Sequence, residues 1–270
     1  MNTQRLKLGA IGCGNMGMAL IEGVISKKII SPANIIVSDI KSNILTRVKK
    51  KLRVNIGTNE EIAKKSNVII LAVKPIQIEN VLDNIKEKLS SKKVLISIAA
   101  GVSTSKIEFI LSGLKIPVIR VMPNLPVKVK NGIIAYSPGK YAKGKEKVIE
   151  SLFSSVGEVF KINENKMDAV TAISGSGPGY IFYLAEIIDE ICVLKGFPKK
   201  IAKLISENLI YGSGKMLIES CEDSETLRKM VSSPGGTTLA GLSILKKKKF
   251  RTMFNEAVNA AEKRSKELSK

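Results

Sequence analysis

A chain of 270 residues, 44% of them hydrophobic, can bury a full core as one large or two medium domains. Its longest apolar runs, such as Val68-Ile69-Ile70-Leu71-Ala72-Val73, are strand-sized and too short to cross a bilayer, so no membrane association is expected. Histidine is absent, which removes His-ligated zinc, Ser-His-Asp chemistry and His-based proton relays, and no metal site is expected.

The formal net charge of +20 raises the question of a nucleic-acid partner. Lysine, however, is scattered over nearly every predicted helix, and the one dense run, Lys246 to Lys249, sits near a helix end, where cations complement the dipole. Aromatic residues make up 4% with no Trp, so platforms for stacking bases are scarce. Attraction of anionic small molecules is the expected consequence of the charge, and nucleic acid is not an expected partner. Cys13, Cys192 and Cys221 show no pairing pattern and are odd in number, so no disulfide framework is expected.

The first predicted strand, Lys7–Ile11, runs into Gly12-Cys13-Gly14-Asn15-Met16-Gly17 and then a helical pattern at Ala19-Leu20-Ile21. A strand, a GxGxxG turn and a helix are what a dinucleotide needs at its pyrophosphate. The first glycine permits the tight turn, the second lets phosphate approach the backbone, and the third lets helix and strand pack closely. Glycines also serve purely structural turns, but the flanking elements and an acid about 20 positions on favour nucleotide binding. The loop lies so close to Met1 that no signal peptide is expected, and a cytoplasmic location follows by elimination.

Further strands are predicted at Ile35–Ser38, Val68–Val73, Val94–Ser97, Val118–Met122, Ile133–Tyr136 and Glu158–Lys161, with a weaker one near Arg53–Ile56. Helical patterns lie between them, for example Ile78–Leu89 with apolar Ile78, Val81, Leu82, Ile85 and Leu89. Strands that are hydrophobic throughout predict a parallel sheet covered on both faces. The expected fold is therefore α/β, with an N-terminal Rossmann-type dinucleotide-binding domain over residues 1–163. Beyond Asn163 to Asn165 no convincing strand remains, and residues 164–270 are expected to form an all-α domain.

Its helices are predicted at about 178–195, 199–219 and 224–231, with one or two more to the terminus; Pro178 and Pro198 stand at expected first-turn positions. The segment Tyr180–Leu194 is apolar nearly all round, which predicts burial on several sides and a subunit interface.

In an open α/β sheet the ligand sits beyond the carboxyl ends of the strands. Asp39 falls there and could bind an adenosine ribose hydroxyl, favouring NADH, or act as an ordinary loop cap. Lys41 and Ser42 could instead meet a 2′-phosphate. Lys74, in Ala72-Val73-Lys74-Pro75, could face a cofactor or simply be solvated. Arg120-Val121-Met122-Pro123-Asn124-Leu125-Pro126 ends another strand, with two prolines restraining the backbone where a nicotinamide should lie. Two further loops, Ser174-Gly175-Ser176-Gly177-Pro178 and Ser232-Ser233-Pro234-Gly235-Gly236-Thr237-Thr238, each lead into a predicted helix and together form an anion cradle suited to a carboxylate.

The stretches Met167–Tyr180 and Val231–Thr238, with the glycine loop, Val73-Lys74-Pro75, Arg120–Asn124 and the tail from Asn255 to Arg264, resemble the pyrroline-5-carboxylate reductase family over essentially the whole chain. The resemblance implies reduction of 1-pyrroline-5-carboxylate to L-proline with NADPH, NADH being possible, as the last step of proline biosynthesis. It implies that Ile11, Gly12, Gly14, Asn15, Met16, Gly17, Asn59, Ala72, Val73, Lys74 and Pro75 hold the cofactor. Ser233, Gly235, Gly236, Thr237 and Thr238 would hold the substrate, with the Thr238 hydroxyl near the ring nitrogen. It also implies a homodimer through the helical domain, assembled further into a ring in some members. Two positions depart from the family pattern: Leu125 replaces the usual Thr and Gly179 the usual Ala.

This chemistry suits a chain without histidine. Ketone reduction needs a proton donor at the developing alkoxide, whereas an imine nitrogen is basic enough to arrive protonated. Thr238 is therefore expected to orient the nitrogen. Two rivals are a hydroxy-acid dehydrogenase with a lysine donor, for which Lys74 is poorly placed, and a non-catalytic NAD(P)-binding regulator.

Overall fold

The computed structural model describes residues 6–268. The chain divides into two units, Met1–Ser176 with Ala261–Lys270, and Gly177–Ala260.

The first unit is built on one eight-stranded sheet: β1 (Leu8–Ile11), β2 (Ile35–Ser38), β3 (Asn55–Ile56), β4 (Val68–Leu71), β5 (Val94–Ser97), β6 (Val118–Met122), β7 (Gly132–Pro138) and β8 (Gly157–Lys161), in the order β3-β2-β1-β4-β5-β6-β7-β8. Each four-residue strand is buried along its length, and successive side chains enter opposite cores. Leu8, Ala10, Val37, Ile70 and Ile96 pack on one face against α1 (Asn15–Ser26), α2 (Ser42–Leu52) and α6 (Lys147–Phe153), through Leu20, Ile21, Val48, Leu152 and Phe153. Ile11, Ile36, Ile69, Leu71, Leu95 and Val118 pack on the other against Ile62 of α3 (Asn59–Lys65), Leu82 of α4 (Ile78–Ile85) and Ile107 of α5 (Thr104–Ile110). Two-sided burial of this kind, at about 1.5–3 kcal/mol for each large side chain, is why the strands carry no polar alternation.

The strands β1 to β6 pair in parallel, but β7 runs antiparallel to β6, with Val121 opposite Tyr136, and β8 follows β7 in parallel. An all-parallel sheet was the expectation, and the physical reason for the difference is the short link from Met122 to Gly132. It holds only a 3-10 turn, Leu125–Val129, closed by left-handed Lys130 (φ 63°), too little chain for a parallel crossover.

Several predicted ends also move. Strand β4 stops at Leu71 because Ala72–Pro75 turns away, and α4 stops at Ile85, the last turn tightening into a 3-10 segment, Lys86–Lys88. Chain order reverses between β1 and β4, since β2 and β3 lie to one side of β1 and β4 to the other. That reversal opens a crevice at the carboxyl ends of β1 and β4.

No described residue beyond 163 forms a strand. α7 (Met167–Val170) passes into a single π-turn, Thr171–Gly175. The second unit begins with α8 (Gly177–Leu194) and continues with α9 (Lys199–Glu219), α10 (Ser224–Met230), α11 (Thr237–Lys247) and most of α12 (Phe250–Leu268). Pro178 lies in the first turn of α8 as expected, whereas Pro198 is the N-cap of α9, one residue outside it. Asp189 of α8 accepts from Ser206 Oγ of α9, and Tyr180 meets Phe254 edge-on at 5.7 Å. Within the single chain α8 is far from buried: Cys192 alone falls in the buried class, and Phe182 is 52% exposed.

Candidate active site

The glycine loop joins β1 to α1 at the crevice. Gly12 has φ +94°, and a Cβ there would stand 2.6 Å from the Ala72 carbonyl oxygen; the Ala72 N–H in turn donates to Ile11 O at 2.8 Å. A Cβ on Gly17 would press on Gly12 O at 2.6 Å. The structure thus brings Ile11, Gly12, Gly17, Ala72 and the following Val73-Lys74-Pro75 together.

Gly14 differs from both. Its backbone (φ −63°, ψ −174°) is open to any residue, and among the described residues no atom beyond its neighbours in the chain lies within 4 Å of where a Cβ would be. Neither conformation nor packing within the chain calls for glycine here, so the space over Gly14 fits a bound diphosphate. Gly14 is also the N-cap of α1, supplies no side-chain cap, and is followed by no acidic residue in the first turn. The positive helix end at Asn15 and Met16 is therefore left for an anion.

Asp39 has a definite task in the chain itself. One carboxylate oxygen accepts from Cys13 N at 2.8 Å and the other from Lys41 N at 2.9 Å, tying the glycine loop to the end of β2. A carboxylate has about four acceptor sites, so capping the loop leaves room for a sugar hydroxyl. Asn59, at the start of α3, accepts from Ser38 Oγ at 2.6 Å, which holds it at the same edge. The Cys13 thiol is buried and donates to Ser38 O; burial, followed by the nearby Asp39 charge, pushes its pKa to about 12. It stays a protonated packing group and no nucleophile. Lys74 is exposed, and its N–H donates to Gln77 Oε1.

Three features of the site escaped the sequence reading. The loop Ile98–Gly101 after β5 also stands at the carboxyl edge, with Ile98 N bonded to Leu71 O and Gly101 at φ +76°. Arg120, inside β6 and 3% exposed, forks between Glu164 (3.0 Å) and Asp168 (3.2 Å). Thr104 Oγ1 donates to Glu164, and Ser265 Oγ donates to Asp168, so the cluster joins α5, β6, α7 and the end of α12. A lone Arg in Val118-Ile119-Arg120-Val121-Met122 was a legible signal that buried carboxylates must exist. Nothing in the sequence said that they lay 44 and 48 residues away.

The third concerns Ser174–Pro178, expected as a loop entering a helix. The structure corrects this: Ser174 and Gly175 belong to the π-turn, where Ser176 N donates to Thr171 O at 2.9 Å, and α8 follows at once. The Ser174 carbonyl oxygen accepts from Asn124 Nδ2 at 3.1 Å, and the Ser176 N–H is taken up by Thr171, so the segment is helical rather than an open loop. Leu125 begins the 3-10 turn after β6 and is partly exposed.

In the second unit, the segment Ser232–Thr238 does run from a turn into a helix, as expected. Ser233–Gly236 is a turn closed by Gly236 N to Ser233 O at 3.0 Å, with Gly235 at φ +72°. Gly236 caps α11, and Thr237 and Thr238 are its first two residues. This helix too has no side-chain cap and no acid in its first turn.

A family model described as pyrroline-5-carboxylate reductase dimerisation matches residues 164–268, and one described as NADP oxidoreductase, coenzyme F420-dependent, matches residues 7–101. The pyrroline-5-carboxylate reductase of Methanosarcina acetivorans is 40% identical over 267 residues, covering 98% of each chain. The chain belongs to the pyrroline-5-carboxylate reductase family. The Arabidopsis thaliana family member is 37% identical over 98% of this chain and 96% of its own. The crystal structure of Plasmodium falciparum pyrroline carboxylate reductase with NADP bound superposes with a TM-score of 0.89 at 34% identity, covering 99% of both chains. The Coxiella burnetii pyrroline-5-carboxylate reductase structure gives 0.90 at 34%, covering 98% and 99%.

Proposed function

We propose that this member of the family transfers hydride from NAD(P)H to the imine carbon of 1-pyrroline-5-carboxylate, giving L-proline in the last step of its biosynthesis. The observation that carries the reading is a pair of uncapped, acid-free helix starts entered through glycine, α1 in the nucleotide unit and α11 in the helical unit. Two anionic ligands are required, a dinucleotide diphosphate and a substrate carboxylate, and each such helix start suits one of them.

In this reading Ile11, Gly12, Gly14, Asn15, Met16, Gly17, Asn59 and Ala72–Pro75 hold the cofactor, whose nicotinamide supplies the hydride when bound. Backbone N–H groups of Gly235 and Thr237, on either side of Gly236, whose own N–H closes the turn onto Ser233, anchor the carboxylate together with Ser233. The Thr238 hydroxyl accepts from the protonated ring nitrogen. Hydride adds to the imine carbon, the C=N π pair moves to nitrogen, and the amine takes its last proton from solvent. No residue has to deliver a proton to a developing anion, so the lack of histidine costs nothing. Positioning of this kind can lower a barrier by about 7–11 kcal/mol in well-oriented cases.

The test is spectrophotometric: NADPH or NADH oxidation on adding the cyclic imine. Cofactor consumption dependent on the imine is expected; binding of the nucleotide with no consumption would make the chain a regulator instead. Thr238→Ala is expected to lower turnover by about 10- to 100-fold, the worth of a hydrogen bond to a charged partner, with cofactor affinity intact. Complete loss at every pH would show that Thr238 is an essential acid.

The family leans to NADPH and Asp39 to NADH. Because Asp39 also holds the Cys13 amide, Asp39→Ala is expected to weaken both cofactors, as an orphaned amide costs about 1–3 kcal/mol. It should also move the ratio of specificity constants toward NADPH. An unchanged ratio would place Asp39 outside the ribose contact.

The open apolar face of α8, with Ile181, Phe182 and Leu184, supports a homodimer through the helical unit, which could assemble further into a ring. Cys13, Cys192 and Cys221 are free, which supports the reducing cytoplasm as its location. No described helix is long and apolar enough to cross a membrane.

A further inference from the structure

We infer that Asn124 is a positioning residue for hydride transfer, a clasp that sets the nicotinamide end of the site; the inference rests on the reductase reading above. Asp39 and Asn59 mark the β2 side of the carboxyl edge, and the glycine loop the pyrophosphate over β1. A dinucleotide laid along that edge would bring its nicotinamide toward the ends of β5 and β6, where Met122-Pro123-Asn124 leaves the sheet.

Two prolines stiffen this segment, but stiffness alone does not place it. Asn124 does. It is 7% exposed, and both ends of its amide are spent: Oδ1 accepts from Ile133 N of β7 at 2.9 Å, and Nδ2 donates to Ser174 O of the π-turn at 3.1 Å. One side chain therefore fixes the end of β6 against both its return strand and the π-turn. Gly175 completes the fit, because a Cβ there would stand 2.5 Å from the Met122 methyl carbon. A π-turn departs from regular helix at a cost and is often retained at functional sites; here it presents the Ser174 carbonyl to Asn124. A shift of about 1 Å in such a support can cost roughly 100-fold in rate while leaving remote binding alone.

The experiment compares Asn124→Asp, which keeps the acceptor for Ile133 but loses the donor to Ser174, with the unaltered protein. Imine reduction at saturating cofactor is read beside affinity for the adenosine half of the cofactor, 2′,5′-ADP or ADP. The expected result is kcat lower by about 10- to 100-fold, with the half-cofactor affinity within about twofold. A kcat within about threefold of the unaltered protein would overturn the inference. So would turnover and half-cofactor affinity falling together, the mark of a merely structural role. If Asn124→Asp does not fold, Asn124→Ala, which removes the amide without introducing a charge, is read by the same criteria. An unaltered protein that does not reduce the imine would retire the reductase reading itself, a different outcome from an active enzyme indifferent to Asn124.

Discussion

Gly14→Asp is expected to fold as stably as the unaltered protein and to bind NADPH at least about 100-fold more weakly. A Cβ at Gly14 meets no described residue beyond its neighbours in the chain, and its φ and ψ suit any residue, so no packing is disturbed. Aspartate is a favoured N-cap and its charge suits the start of α1, so stability should hold or rise slightly. In the proposed site the same carboxylate would stand where the diphosphate is held. Two like charges about 4–5 Å apart repel by roughly 3–4 kcal/mol at an effective dielectric near 20, which is two orders of magnitude or more in affinity. Thermal unfolding and cofactor titration measure the two quantities separately. Tight NADPH binding by a folded variant would remove the diphosphate from this loop.

Arg120→Ala is expected to lower folding stability by about 3 kcal/mol, read from denaturant unfolding. The guanidinium is buried while Glu164 and Asp168 retain some solvent, with side-chain exposures of 32% and 19%. Removing one partner of a buried pair typically costs about 3–5 kcal/mol because the others keep their desolvated charge. Partial solvation of the two acids puts the effect at the lower end. Arg120→Lys should recover little, since an ammonium cannot fork between two carboxylates from inside a strand. A loss below about 1 kcal/mol would mean that the cluster merely tolerates its charges. The network also ties the last turns of α12 to α7 through Ser265 and Asp168, so hydrogen exchange there should rise in the same variant.

How much of this was legible beforehand depends on the range of the interaction. The glycine loop, the short apolar runs that became β1, β2, β4 and β5, and the glycine turn into α11 all follow from local rules. Their signals lie within a dozen residues of one another. Helix α4 shows the limit of such rules: periodicity carried it to Leu89, but its last turn tightened to 3-10. Asp39 shows the next limit. Its position after β2 was readable, but that its two oxygens hold Cys13 N and Lys41 N was not, because backbone donors leave no mark in a sequence.

By itself, the order of residues determined an α/β half with a dinucleotide loop, a helical half, a chemistry without histidine and the family signatures. Those are properties of composition, of period and of contiguous motifs. Tertiary structure alone decided the reversal of β7, the partners of Arg120, the π-turn in place of an open loop and the two-ended grip of Asn124. The partners of Arg120 and the Ser174 end of the Asn124 grip lie 44 to 50 residues away, and for all four features burial and hydrogen-bond satisfaction in three dimensions make the choice among partners. No local preference encodes that choice.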